Sequence, residues 1–154
     1  MKLTKKADYA LRAVYYISRL SGGALASIGE VADKQSAPRE FLAKILQQLT
    51  RANILRSYQG IKGGYQLARD PKTISFLDVI EAVEGPITLN QCCREGGECC
   101  EMYDECGMRE FWNKLQAVYV QQLRSETMDR YDPAGGSSKG APVRALAAAG
   151  ASNS

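Results

Sequence analysis

From Thr4 to about Leu20 the apolar positions Ala7, Ala10, Leu11, Val14 and Ile17 recur in steps of three and four, the stripe of an amphipathic helix. Thr4 suits an N-cap, and Ser21-Gly22-Gly23 a stop. A short second helix is predicted from Ser27 to about Gln35. Its start, Ser27-Ile28-Gly29-Glu30, has the spacing of a capping box, and Ile28, Val31 and Ala32 form its apolar face. After Ser36-Ala37, Pro38 stands where proline is tolerated, in a first helical turn. A third helix follows from about Pro38 to Ala52, with Phe41, Leu42, Ile45 and Leu46 turned inward and Leu49 continuing the stripe.

The period then changes. Two short apolar segments, Ile54 to Tyr58 and Tyr65 to Ala68, are joined by Gln59-Gly60-Ile61-Lys62-Gly63-Gly64, whose glycines permit a tight turn, so the pair predicts a β-hairpin. Another short helix begins at Ser75, with Asp78 at N3 and Phe76, Leu77, Val79, Ile80 and Val83 largely buried, and stops at Gly85-Pro86. A longer helix is predicted from about Met108 to Arg130. Phe111, Leu115, Val118 and Gln122 lie on one stripe and Trp112, Tyr119 and Leu123 on its flank, a wide face that suits packing on its own domain or on a second subunit. From Pro133 to Ser154 the chain is rich in Gly, Ala and Ser with few large apolar side chains, which predicts a disordered tail.

These elements fit one compact domain with an appendage in 154 residues. The order helix, short helix, turn, helix, hairpin is that of a winged helix-turn-helix, giving a mainly α fold with a small β-hairpin wing and a long C-terminal helix. The division expected is residues 1–74 as the DNA-binding region, 75–131 as connecting helix, cysteine-rich loop and dimerisation helix, and 132–154 as the tail. No window approaches the roughly eighteen apolar residues of a membrane span. Lys2, Lys5 and Lys6 are followed by Asp8, Arg12 and Arg19 rather than by the apolar run of a signal peptide, which points to the cytoplasm.

Charge sharpens the picture. The net charge of +3 conceals an asymmetry: residues 1–70 hold twelve Lys or Arg against five acids, whereas residues 71–132 hold six against twelve. A basic first half suits a polyanion such as double-stranded DNA, and the acidic second half belongs away from the phosphates. At the start of the third helix Arg39, Glu40 and Lys44 face outward, and the wing adds Tyr58, Gln59 and Lys62. Arginine can pair with a guanine edge through two hydrogen bonds and lysine can reach a base or a phosphate, so Arg39 and Lys44 are the candidate readers.

Cys92, Cys93, Cys99, Cys100 and Cys106 fall within fifteen residues among glycines and acids, and the chain has no histidine. In a reducing compartment such density points to metal, because clustered thiolates repel one another unless a cation neutralises them. Iron–sulfur clusters and zinc both accept thiolates, and a purely thiol-based switch is open as well. Adjacent side chains seldom both reach one metal, so three of the five are expected as ligands. Nothing resembles a catalytic nucleophile with its base, which sets enzymes aside. A cluster-carrying protein that does not bind DNA is the competing class.

Taken together, Met1-Lys2-Leu3-Thr4 opening into the first helix, Leu42 and Leu46 in the third, Gly60-Ile61-Lys62-Gly63-Gly64-Tyr65 in the wing, Glu84-Gly85-Pro86-Ile87, and a cysteine loop leading to Cys106 and Trp112 resemble the IscR/NsrR group of winged-helix repressors, which sense iron–sulfur status, iron or nitric oxide. The resemblance covers residues 1 to about 130. It implies a homodimer built on the long C-terminal helices, a palindromic operator, and a [2Fe-2S] or [4Fe-4S] cluster held by Cys92, Cys100 and Cys106. A fourth ligand varies within the group. IscR is similar except that a histidine ligand stands where this chain has Arg109, so the NsrR-like aspartate of the first helix, here Asp8, is implied instead, reaching the partner's cluster. Ala43 replaces a glutamate of the IscR recognition helix and Gln59 a wing arginine, so the operator sequence does not carry over.

Overall fold

The computed structural model describes residues 3–93 and 105–131; Cys99, Cys100 and the tail predicted from Pro133 lie outside the described residues. Helix α1 spans Lys5–Ser18, with Thr4 as N-cap accepting from the Ala7 N–H at 3.1 Å. Its stripe Ala7, Ala10, Ala13, Val14 and Ile17 is buried. Helix α2 spans Ile28–Gln35 and α3 spans Arg39–Arg51, with Ser36 and Asn53 in left-handed conformation just after them. Pro38 is the N-cap of α3 rather than part of its first turn. Strands β1, Leu55–Tyr58, and β2, Gly64–Leu67, pair antiparallel with Leu55 opposite Leu67 and Tyr58 opposite Gly64. Ala26 adds a bridge to Tyr65, exchanging hydrogen bonds of 2.9 and 2.8 Å, which docks the base of the wing onto the strand-like approach to α2. Helix α4 spans Phe76–Glu84 and α5 spans Arg109–Ser125.

The helix-turn-helix, the wing and α4 share one core. Leu42, Ile45, Leu46 and Leu49 of α3, Val31 of α2, Ile54 and Leu55 of the wing, and Val79, Ile80 and Val83 of α4 meet around α1. Each such side chain contributes about 1.5–3 kcal/mol on burial, whereas solvent-exposed pairs such as Glu110–Lys114 are screened by water and add little, so the apolar stripes decide the fold.

The elements follow their expected order, but four details differ from the expectation, the first being Pro38 as the N-cap of α3. Phe41 is 37% exposed rather than inward. It sits one residue outside the Leu42–Ile45–Leu46–Leu49 stripe and meets the Tyr9 ring edge-on, with centroids 5.9 Å apart. The capping box at Ser27 is only half made: Ser27 accepts from the Glu30 N–H at 3.2 Å, but the Glu30 carboxylate takes the Tyr16 hydroxyl instead of returning to the cap. That hydrogen bond holds the Tyr16 phenol above its ordinary pKa. By contrast the box at Ser75 is complete, with bonds of 3.1 and 2.9 Å between Ser75 and Asp78.

The fourth difference is the end of the long helix. Instead of running to Arg130, α5 stops at Ser125, and the chain turns back along the start of α4. The Phe76 N–H donates to the Glu126 carbonyl at 2.8 Å and the Met128 N–H to the Ile74 carbonyl at 3.0 Å. The bridge of Ser75 to Thr127 thereby drives Met128 into the core, where it is 2% exposed. Two backbone bonds and a buried thioether outweigh another helical turn with only one side in contact. Among the described residues no helix is long and apolar enough to cross a membrane.

Met128→Ala is expected to lower the unfolding free energy by about 2–4 kcal/mol in urea titrations, while Tyr131→Ala, at an exposed position, should cost less than about 1 kcal/mol. Equal midpoints for the two variants would remove the return segment from the core.

Candidate nucleic-acid interface and cysteine segment

With its apolar stripe inward, α3 leaves Arg39, Glu40, Lys44, Gln47 and Arg51 exposed. No side chain caps its first turn. Two open grooves separate α3 from the wing. One, of about 550 Å³, is lined by Ala43, Lys44, Gln47, Thr50, Arg51, Ser57, Gln59 and Tyr65. The other, of about 400 Å³, runs from the start of α2 to the wing and is lined by Ser27, Gly29, Arg39, Tyr58, Gln59, Gly60 and Gly63 among others. Arg39 lies across the bare backbone of Gly29, where a Cβ would strike its guanidinium. The side chain is thus laid along the second groove.

The structure brings four of the six sequence-predicted contact residues onto these grooves: Arg39 with Tyr58 and Gln59 on one side, Lys44 with Gln59 on the other. Glu40 is exposed outside both, and Lys62 stands at the wing tip beside a fully exposed Ile61. The Tyr58 hydroxyl accepts from Gln66 Nε2 at 2.6 Å, which sets the ring against β2. Gln47, Arg51 and Ser57 were not singled out from sequence. Gln47 and Arg51 follow Lys44 at three and seven residues, one helical stripe, and that spacing was the available signal.

The wing keeps its shape through glycine. A Cβ at Gly63 would run into the Tyr58 carbonyl oxygen, and one at Gly64 would lie 2.6 Å from the Ala26 carbonyl oxygen. Both are rigid backbone, so neither position admits another residue without moving the hairpin or its bridge.

At the other end, Cys92 lies in a short 3-10 turn, Gln91–Cys93, that packs on α5, and it is buried. Cys93 is half-buried. Cys106, also half-buried, stands just before α5 and its carbonyl accepts the Arg109 N–H at 3.2 Å. The implied ligand Cys100 lies outside the described residues. Asp8 projects from the first turn of α1 and is held by Arg12, Oδ1 to Nε at 3.1 Å and Oδ2 to Nη2 at 3.0 Å. Among the described residues no three cysteines or carboxylates gather as a metal site. Gln116 of α5, which sequence reasoning passed over, bonds the turn that carries Cys92.

A helix-turn-helix with a glycine-built wing, a basic third helix and a long following helix defines a winged-helix DNA-binding regulator. Residues 3–130 match the Rrf2 family, described as iron-dependent transcriptional regulators, and the chain belongs to that family. A Rhizobium meliloti (strain 1021) relative, protein aau3, is 33% identical over 129 residues, 84% of this chain and 83% of its own. Among solved structures, a candidate transcriptional regulator of Listeria innocua is 28% identical with a TM-score of 0.71, covering 84% of each chain. Two more share the fold at 23% identity. T. potens IscR has a TM-score of 0.67 over 84% of each chain, and CymR, the global cysteine regulator of B. subtilis, 0.66 over 84% of this chain and 94% of its own. The protein is accordingly a transcriptional regulator rather than an enzyme.

Gly63→Ala is expected to leave the core folded but to shift the amide resonances of residues 58–64 and weaken DNA binding at least tenfold, because the wing must open to clear the Tyr58 carbonyl. An unchanged hairpin spectrum with unchanged affinity would show that the wing tolerates a side chain there.

Proposed function

We propose that the protein is a cytoplasmic, dimeric repressor that reads a palindromic DNA site with α3 and the wing, and that its affinity is set by an iron–sulfur cluster held by Cys92, Cys100, Cys106 and Asp8 of the partner subunit. The observation that carries the DNA half is the pair of grooves between α3 and the wing, lined by Arg39, Lys44, Gln47 and Arg51. Arg39 and Lys44 contact bases, with Glu40 and Gln59 at base edges. Arg51, Tyr58 and Lys62 contact phosphates, and the glycines let the wing backbone approach the duplex.

The donors fit a cluster chemically. Thiolates are soft anionic ligands, and the acidic surroundings of residues 92–106 would repel them without a bound cation. With no histidine in the chain, imidazole-ligated metal sites have no donors. The Asp8–Arg12 pair is about half exposed, so its loss costs about 0–1 kcal/mol, well within what a ligand bond returns. When bound, the cluster supplies a redox- and nitric-oxide-sensitive centre. The protein's part is to couple it to DNA. Asp8 is followed directly by Tyr9, whose ring meets Phe41 on α3, so a displacement of α1 is passed to the reading helix. Exposed Met108 at the N-cap of α5, with Phe111, Val118 and Tyr119 on the helix, supplies an apolar face for the second subunit.

Anaerobic purification with visible absorbance, iron and zinc analysis tests the cluster. A brown, iron-containing protein whose colour is lost in Cys92→Ser and Cys106→Ser is expected; a colourless zinc protein overturns the assignment. On DNA, affinity should fall steeply with salt. Lys62→Ala should flatten the log–log slope by about one unit, and Arg39→Ala should cost about 1–3 kcal/mol and relax sequence preference. No binding by either loaded or metal-free protein would sink the repressor reading.

A further inference from the structure

We infer that Gln116 is the positioning residue for Cys92, clamping the turn that carries this thiol onto the middle of α5. The inference rests on reading Cys92 as a metal ligand. Gln116 is half-buried, and both ends of its carboxamide are engaged. Oε1 accepts the Leu89 N–H at 2.9 Å, and Nε2 donates to the Cys93 carbonyl at 3.0 Å. The two bonded residues bracket Cys92, and the turn between them is closed by the Cys93 N–H on the Asn90 carbonyl at 2.9 Å. One side chain thus holds the backbone before and after the thiol.

The chemistry is specific to an amide. Leu89 presents a donor and Cys93 an acceptor, so the clamp must accept at one end and donate at the other. Glutamate keeps the acceptor for Leu89 but sets an anionic oxygen against the Cys93 carbonyl. Leucine leaves both backbone groups without a partner. Cys106 is tied to the same helix by the chain itself, three residues before α5 begins, with its carbonyl on the Arg109 N–H. Hence α5 holds Cys92 through a side chain and Cys106 through the backbone, and the placement of the two thiols follows one rigid element. The same helix carries exposed Phe111, Val118 and Tyr119, so Gln116 joins the cysteine segment directly to the face proposed for dimerisation.

The test compares full-length wild type with Gln116→Leu, Gln116→Glu and, as a control at an exposed position of the same helix, Gln121→Leu. On metal-free protein the readouts are hydrogen exchange of the Leu89 amide and the rate of Cys92 alkylation by iodoacetamide. On iron-loaded protein they are the visible circular dichroism and iron release to a chelator. Gln116→Leu should speed Leu89 exchange, Cys92 alkylation and iron release about tenfold, the effect of two lost hydrogen bonds, and change the visible spectrum. Gln116→Glu should restore slow Leu89 exchange while alkylation and iron release stay several-fold fast. Gln121→Leu should match wild type. Fast Leu89 exchange in Gln116→Leu with wild-type alkylation and an unchanged visible spectrum would mean the glutamine merely supports the backbone, and would overturn the inference. If wild type takes up no iron, the cluster reading fails separately, and the alkylation ratio alone decides whether Gln116 places Cys92. Should Gln116→Leu not fold, alkylation in Gln116→Glu decides by the same criterion.

Discussion

The close packing of α1 against α3 and α4 is the constraint on which the rest depends. Ala7, Ala10 and Ala13 are completely buried along one side of α1, with Val14 and Ile17 completing the stripe. Short side chains let helices approach closely, and here they let a single helix touch both the third helix of the helix-turn-helix and α4. Polar ties at the rim add orientation. Thr4 Oγ1 donates to Glu84 Oε1 at 2.6 Å, and Lys6 Nζ donates to the Val83 carbonyl at the end of α4. A larger residue at Ala10 would separate the two packed surfaces at once, since both lie against the same alanine stripe.

That position makes α1 more than a core element. Its outer side carries Asp8, the proposed fourth ligand, and the adjacent Tyr9 lies against Phe41 of α3. The proposed ligand and the contact to the third helix are therefore one residue apart on the same helix. At the far end, the return of the chain after α5 onto Ile74, Ser75 and Phe76 closes α5 back onto the core, with Met128 as the buried stud. The cysteine turn, α5 and the helix-turn-helix are consequently connected through packed or hydrogen-bonded contacts rather than through loose linkers.

The charge separation along the chain acquires a physical sense in this arrangement. The basic residues Arg39, Lys44 and Arg51 lie on α3, and Lys62 on the wing, around two open grooves. The acids of the second half fall in the sequence of α4, of the cysteine segment, of α5 and of the residues that follow α5. A polyanion is drawn to the basic surface around the grooves.

Helix and hairpin placement was legible in the sequence because it depends on neighbours three, four or two positions away: the α1, α3 and α4 stripes, the complete capping box at Ser75 and the glycine-rich wing all act within one element. Arg39 and Lys44 were visible for the same reason, as was the density of cysteines. What the sequence by itself could not determine depends on groups far off in the chain. Glu30 turns to Tyr16 rather than to its own cap, Phe41 lies against Tyr9, α5 stops where Ile74 and Phe76 offer backbone partners, and Gln116 reaches residues 23 and 27 positions earlier. Each is a choice between a local and a distant hydrogen bond or contact of similar strength, about 1 kcal/mol, and only the folded arrangement of neighbours breaks such ties.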